Sequence, residues 1–365
     1  MIVHRLLPLC LALAACGDDP ALDVSVEAAG PYPPGTRALT LTDAARARTL
    51  PTQVWYPAVA EAAPAVAAGF PVVEYETGAN RTRLTELLAA ADPTCPTATA
   101  HAARDAAPAA GSFPLIAMSH CHECTRFSTA TVAERLASHG FVVIAVDHVG
   151  NTLWDQPSGL PIDTTTLALR VGDVRFALDA ALNGVVPAEL HAIVDPTRVG
   201  VVGHSFGAVT AGKVAQDDPR IGAALALAAP MQNPLVPGVT LAELTEPLGF
   251  LVAVEDNSIT EIGNNFMRDN FAMAPGPAWK AEVADAGHWS VSDLAGLTAG
   301  FAAGCGAGTR QTDNSAFTYL PTATGRGLTA AYATAFFLAY LSDDADARGY
   351  LDAERPAGLV TTERR

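Results

Sequence analysis

The 365-residue sequence predicts an α/β fold: a mostly parallel central sheet with helices on both faces and an antiparallel edge supplied by its N-terminal strands. Two observations carry this. From residue 113 onward, apolar runs of strand length alternate with stretches of helical periodicity, the pattern of parallel strands joined by crossover helices. Within that region, Gly203-His204-Ser205-Phe206-Gly207 follows the β-branched run at 198–202 and leads into a helix-like stretch at 208–214, so that a serine sits on a sharp turn between strand and helix.

Taken in order, residues 37–41 and 50–56 read as two strands joined by a polar turn containing Asp43 and several arginines, which makes the antiparallel edge. Residues 58–69 are rich in alanine and proline, and 79–111 combine a short helix at 82–91 with a loop around Asp92-Pro93-Thr94-Cys95-Pro96. The whole of 58–111 reads as an excursion over the surface. Residues 113–118 form a strand and 129–139 a helix, and the nearly continuous apolar run at 141–146 suits a central strand. The helix at 163–182 places Leu167, Val171, Val174, Leu178 and Leu182 on one face, with Asp173, Arg175 and Asp179 among them as ion-pairing groups. Core strands follow at 220–228, 247–254 and 279–283, and an apolar helix at 328–341 packs on the sheet. No linker after residue 113 divides the chain, and 37–365 is expected to be a single domain with the excursion on its surface.

Half the residues are hydrophobic, enough for a large core. The formal charge of -16, without aromatics interleaved among basic residues, argues against a nucleic-acid partner and suits solubility. Residues 1–15 stand apart, with His4 and Arg5 ahead of an apolar run at 6–15 that is too short to span a bilayer, then small residues before Cys16. This resembles a bacterial lipoprotein signal. The resemblance implies cleavage before Cys16, a lipid anchor in the membrane on that cysteine and a flexible tether over 16–36; an ordinary secretory signal is the alternative, and either exports the chain.

With Cys10 in the signal and Cys16 lipidated, Cys95, Cys121, Cys124 and Cys305 remain, an even count that favours disulfides in one of three connectivities. His120-Cys121-His122-Glu123-Cys124 also carries the imidazole and thiol groups that suit zinc, but four ligands crowd into five residues without the spacing of zinc sites. A disulfide-braced loop is preferred there.

A serine hydroxyl needs a histidine base and a carboxylate to orient it. The strand at 247–254 ends in Glu255-Asp256-Asn257, and the strand at 279–283 is followed by Asp285-Ala286-Gly287-His288-Trp289. Ser205, Asp256 and His288 thus fall in the chain order of an α/β-hydrolase triad.

Together with that elbow, Val54-Trp55-Tyr56-Pro57, Phe113-Pro114-Leu115-Ile116-Ala117-Met118-Ser119-His120, residues 136–143, Asp147-His148 and Ala286-Gly287-His288 resemble the α/β-hydrolases related to platelet-activating-factor acetylhydrolases and predicted dienelactone hydrolases. Cutinase-type polyester hydrolases are more distant relatives. The resemblance runs from about residue 37 to about residue 351 and is specific for the superfamily, not for a substrate. It implies a serine hydrolase acting on small carboxylic esters through an acyl-enzyme, with no metal or organic cofactor. An acyltransferase or amidase with the same triad, and a non-catalytic lipoprotein that binds an apolar ligand, are the alternatives.

The acetylhydrolase branch carries its acid at the end of the strand directly after the elbow, but here 223–230 holds no carboxylate. The acid is therefore expected from the next strand, as Asp256 with Glu255 in reserve. The oxyanion donors are expected to be the amide of Phe206 and, by its place in Ser119-His120-Cys121-His122, the amide of His122. Cys121 stands where the family has glycine, which predicts a strained left-handed backbone there, held by a disulfide. Trp289, Phe127, Trp154 and Met231, near strand ends, are expected to shape the pocket. Polyester cleavage is not favoured, since cutinase-type polyester hydrolases often carry methionine where this chain has Phe206.

Overall fold

The apolar runs pair side by side as strands. In a computed structural model, which describes residues 25–95 and 98–365, ten strands form the main sheet. They are β1 (Pro34–Asp43), β2 (Arg48–Pro57), β3 (Ala103–Arg104), β4 (Phe113–Ser119), β5 (Val142–Val146), β6 (Val194–His204), β7 (Ile221–Leu227), β8 (Leu248–Ala253), β9 (Ala278–Val283) and β10 (Val360–Arg364). Across the sheet the order is β10-β9-β8-β7-β6-β4-β5-β2-β1-β3. The six strands from β9 to β5 run parallel, β2 and β1 follow antiparallel at one edge, and β10 is antiparallel at the other. Every residue of β4, β5 and β8 is buried, because helices cover both faces of these strands.

The α-helices of seven residues or more are α1 (Gly78–Ala90), α2 (Ala130–Ser138), α3 (Thr164–Leu182), α4 (Phe206–Asp217), α5 (Thr260–Met273), α6 (Thr322–Leu341) and α7 (Ala345–Leu351). Apolar side chains of α2 and α6 pack on one face of the sheet, and those of α3, α4 and α5 on the other. The start of α3 is set by Asp163, whose carboxylate accepts from the Thr166 amide at 2.7 Å. Among the described residues, no helix is long and apolar enough to cross a membrane.

Two expectations about the periphery change. The tether expected over 16–36 is packed from residue 25 on: Val26 is buried, the Gly30 amide donates to Ser138 Oγ at 3.0 Å, and Tyr32 packs edge-on against Phe113. Cys16 and the signal at 1–15 lie outside the described residues. The excursion at 58–111 is also anchored. Tyr75 is buried between Trp55, which donates from Nε1 to its hydroxyl at 3.2 Å, and Phe127, on which it stacks. A disulfide from Cys95 to Cys305, with Cα atoms 5.5 Å apart, ties the excursion to the loop after β9.

Candidate active site

At the end of β6 the chain reverses into α4 within a single residue. Ser205 takes φ 57° and ψ -123°, a left-handed backbone that a side chain tolerates only when its surroundings enforce it. The flanking glycines allow the reversal: a Cβ on Gly203 would collide with the carbonyl of Gly207, and one on Gly207 with the carbonyl of Ser119. The Ser205 amide donates to Leu227 of β7 at 3.0 Å, which pins the turn to the sheet.

Asp256 lies just beyond β8 and His288 beyond β9, so adjacent parallel strands deliver both side chains to the same sheet end as Ser205. His288 Nε2 is 2.8 Å from Ser205 Oγ, and His288 Nδ1 is 2.7 Å from Asp256 Oδ2. Asp256 is fully buried, and its Oδ1 accepts from the amides of Ser258 at 2.9 Å and Ile259 at 3.0 Å, which fixes the carboxylate. Glu255, the reserve acid, is turned away from the imidazole. Its oxygens accept from Arg310 Nη1 at 2.8 Å and the Gln311 amide at 3.0 Å, so it secures the loop at 310–311 instead.

His204, the residue before Ser205, is buried beside His288 with ring centroids 4.9 Å apart. Its Nε2 donates to the backbone carbonyl of His288 at 2.9 Å. Burial, with the His288 ring alongside, holds its pKa well below the usual imidazole range, so the ring is neutral.

The loop after β4 is closed by a disulfide between Cys121 and Cys124, with Cα atoms 5.2 Å apart. The left-handed residue is not Cys121, as expected, but Glu123, at φ 54°. The three-residue bridge encloses that strained position. Both thiols are consumed by the bond, and among the described residues no group of three or more His, Cys, Asp or Glu side chains is placed to hold a metal. His120 is used inside the fold: Nδ1 donates to the Cys121 carbonyl at 2.7 Å and Nε2 accepts from the His148 amide at 3.0 Å.

Ser205 and His288 open on a cleft of about 510 Å³ lined also by His122, Glu123, Gln156, Ser258, Trp289 and residues 298–301. Trp289 stacks on Phe301 with centroids 4.0 Å apart, forming an aromatic wall. The other three pocket expectations fail on packing. Phe127 is fully buried under Tyr75, and Met231 is fully buried against Gly212 of α4. Trp154 packs on the core because the turn at 153–155, capped by Thr152 and Asp155, directs it inward; Gln156, two residues on, reaches the cleft.

Beneath the loop at 120–124 lies a buried polar cluster. Arg170 of α3, fully buried, donates from Nε to Thr210 Oγ1 at 3.1 Å, from Nη1 to Asn151 Oδ1 at 2.6 Å, and from Nη2 to Ser119 Oγ at 3.2 Å and the His120 carbonyl. Asn151 Nδ2 in turn donates to His122 Nδ1 at 2.7 Å. Ser119 Oγ is 3.0 Å from His148 Nε2, and His148 Nδ1 is 3.2 Å from Asp173 Oδ2, a second Ser-His-Asp chain sealed from solvent. Asp173 also binds Arg46 and Arg48, which bears out ion pairing at the sheet end. Arg170 escaped the sequence reading, although a signal was present. It stands three residues after Leu167 and four before Val174, a charge on the apolar stripe of its helix.

Compared with known proteins, residues 102–264 match the family described as PET hydrolase-like, and residues 23–153 match platelet-activating factor acetylhydrolase, isoform II. Cutinase 2 of Thermobifida cellulosilytica is 34% identical over 116 residues, 32% of this chain and 39% of that one. Cutinase est2 of Thermobifida alba is 36% identical over 116 residues, 32% and 34% of the two chains. Lipase 1 of Moraxella sp. (strain TA144) is 29% identical over 158 residues, 43% and 42% of the two. The match therefore spans well under half the length of these relatives. A solved ferulic acid esterase from Streptomyces cinnamoneus superposes with a TM-score of 0.66 at 23% identity, covering 93% of this chain and 99% of that one. The fold is that of an α/β-hydrolase. Within that class, the chain is similar in its matched segments to platelet-activating-factor acetylhydrolases and cutinases.

Proposed function

We propose that the protein is a serine hydrolase that cleaves carboxylic esters through an acyl-enzyme on Ser205. The observation that carries this reading is the unbroken hydrogen-bond chain from Ser205 Oγ through His288 to Asp256, at 2.8 and 2.7 Å, opening on a cleft. With Nδ1–H given to Asp256, the Nε2 lone pair of His288 faces the serine hydroxyl. It takes that proton as Oγ attacks the ester carbonyl, and the buried carboxylate stabilises the imidazolium that forms. The oxyanion is received by the amide of Phe206, which opens α4 and so has no intrahelical acceptor, and by the amide of His122. His288 then protonates the leaving alkoxide; water, activated by the same imidazole, releases the acid and restores Ser205. The names of the relatives, cutinase, lipase and esterase, support the reaction class.

In the same reading the triad and cleft belong to one hydrolase domain over 37–365. Its two disulfides suit an oxidising compartment, in keeping with export and with an anchor at Cys16.

The test is Ser205→Ala assayed on short p-nitrophenyl esters, with fluorophosphonate labelling of the parent protein. Turnover and labelling disappear in the variant while its melting temperature is unchanged. Residual turnover in S205A discards the assignment, and a parent protein that neither labels nor hydrolyses esters favours the binding-protein alternative. Product analysis with added alcohols or amines separates hydrolysis from acyl transfer.

A further inference from the structure

We propose that Arg170 positions both oxyanion donors and places a buried positive charge behind them; the inference rests on the ester-hydrolase reading above. Its four acceptors, Thr210 Oγ1, Asn151 Oδ1, Ser119 Oγ and the His120 carbonyl, are all neutral oxygens. Asp173, one turn along α3, is committed to Arg46, Arg48 and His148. A guanidinium buried with no carboxylate bonded to it is costly, because its lost hydration is returned mainly by dipoles, with the charge of Asp173 favouring the cation from beyond ion-pairing distance. Such a cost is retained where the charge has a use. Burial draws the Arg170 pKa down to about 9, which leaves it cationic at neutral pH.

Both halves of the oxyanion hole hang from this one group. On one side its guanidinium carbon lies 4.7 Å from the centroid of the Phe206 ring, and Thr210, its Nε acceptor, donates to the Phe206 carbonyl at 2.9 Å. On the other, it holds the His120 carbonyl directly and the His122 ring through Asn151. A positive charge behind two amides in a low-dielectric interior stabilises the full negative charge of the tetrahedral intermediate far more than the dipole of a bound ester. Arg170 therefore acts on kcat and touches no substrate.

Four variants separate charge from shape. In R170Q, kcat on a p-nitrophenyl ester falls roughly 10- to 100-fold while KM stays within about twofold. R170K, which keeps the charge but loses the planar fork, remains several-fold more active than R170Q. N151D sets a carboxylate at the position of an oxygen now 2.6 Å from the guanidinium, pairing the charge, but also loses the bonds Asn151 Nδ2 gives to His122 and the Leu160 carbonyl; N151A loses the same two bonds and adds no charge, so the two are read against each other. The kcat is lower in N151D than in N151A, although N151D keeps an acceptor for Arg170 and N151A does not; a purely structural role gives the reverse order. Affinity for an alkylboronic acid, whose Ser205 adduct is a tetrahedral anion, weakens in parallel with kcat across the series.

R170Q as active as R170K, or N151D as active as N151A, overturns the inference; if the Arg170 variants fail to fold, the two Asn151 variants decide alone. A parent protein without esterase activity sinks the hydrolase reading and this inference with it. An active parent with N151D as active as N151A sinks only the role of Arg170.

Discussion

His204 Nε2 donates to the backbone carbonyl of His288 at 2.9 Å, so the residue that precedes Ser205 holds the loop that carries His288. The bond runs from the elbow to the turn after β9, across the place where the triad is assembled. His204→Phe removes the donor and leaves a buried carbonyl unpaired, at a cost of about 1–3 kcal/mol. It also lowers kcat by about tenfold as His288 loses its alignment with Ser205. His204→Gln, whose side-chain amide reaches a similar point, restores most of the rate. Steady-state kinetics of the two variants checks this, and equal activities would contradict it.

The Cys95–Cys305 disulfide backs the aromatic wall of the cleft. Gly296, against which it packs, donates to the Phe301 carbonyl at 2.7 Å, and Phe301 stacks on Trp289. Replacing both cysteines by serine is expected to cost about 2–4 kcal/mol of stability, since a bond across 210 residues of chain no longer restricts the unfolded state. KM for aryl esters rises with little change in kcat, because the wall loosens and the triad does not. Urea unfolding and ester kinetics on the double variant test both parts.

Glu134 gives stability a pH dependence that the triad does not explain. Burial, with Asp293 nearby, pushes its carboxyl up to about 8, while its Oε1 accepts from the His101 amide and the Tyr75 hydroxyl. The folded protein thus keeps a proton that the unfolded chain releases near 4.5. The contribution is fully present below about pH 4.5 and is lost as the pH rises through about 8, a difference on the order of 4 kcal/mol for one group. Glu134→Gln keeps the acceptor and cannot ionise, so its advantage over the parent protein grows from pH 5 to pH 8.5. Unfolding midpoints measured across that range check the sign, and a gap that stays constant would contradict it.

The central sheet was legible because its strands are short apolar runs bounded by turn residues, and the site because Ser205, Asp256 and His288 each sit just past such a run. Burial on both faces makes those strands loud in sequence. β10 was silent for the converse reason: only Val360 of its five residues is buried, and it forms by pairing with an edge that its own pattern does not announce. The packing of Val26 depends on Arg135, which donates to its carbonyl from 109 residues away. Asp256 was preferred from the sequence, but what occupies Glu255 was not legible, because its partner Arg310 lies 55 residues distant. Phe127 and Met231 misled because strand ends hold core and cleft side chains alike, and only packing tells them apart.

Glu123, kept in its left-handed turn by the neighbouring disulfide, presents the cleft with a carboxylate, and Gln156 Nε2 steadies it at 2.8 Å. Under the hydrolase reading, each turnover converts a neutral bound ester into an anion within the cleft that this carboxylate also lines. The product is thereby expelled by like-charge repulsion that its precursor never felt, and departure grows easier at the moment the chemistry ends.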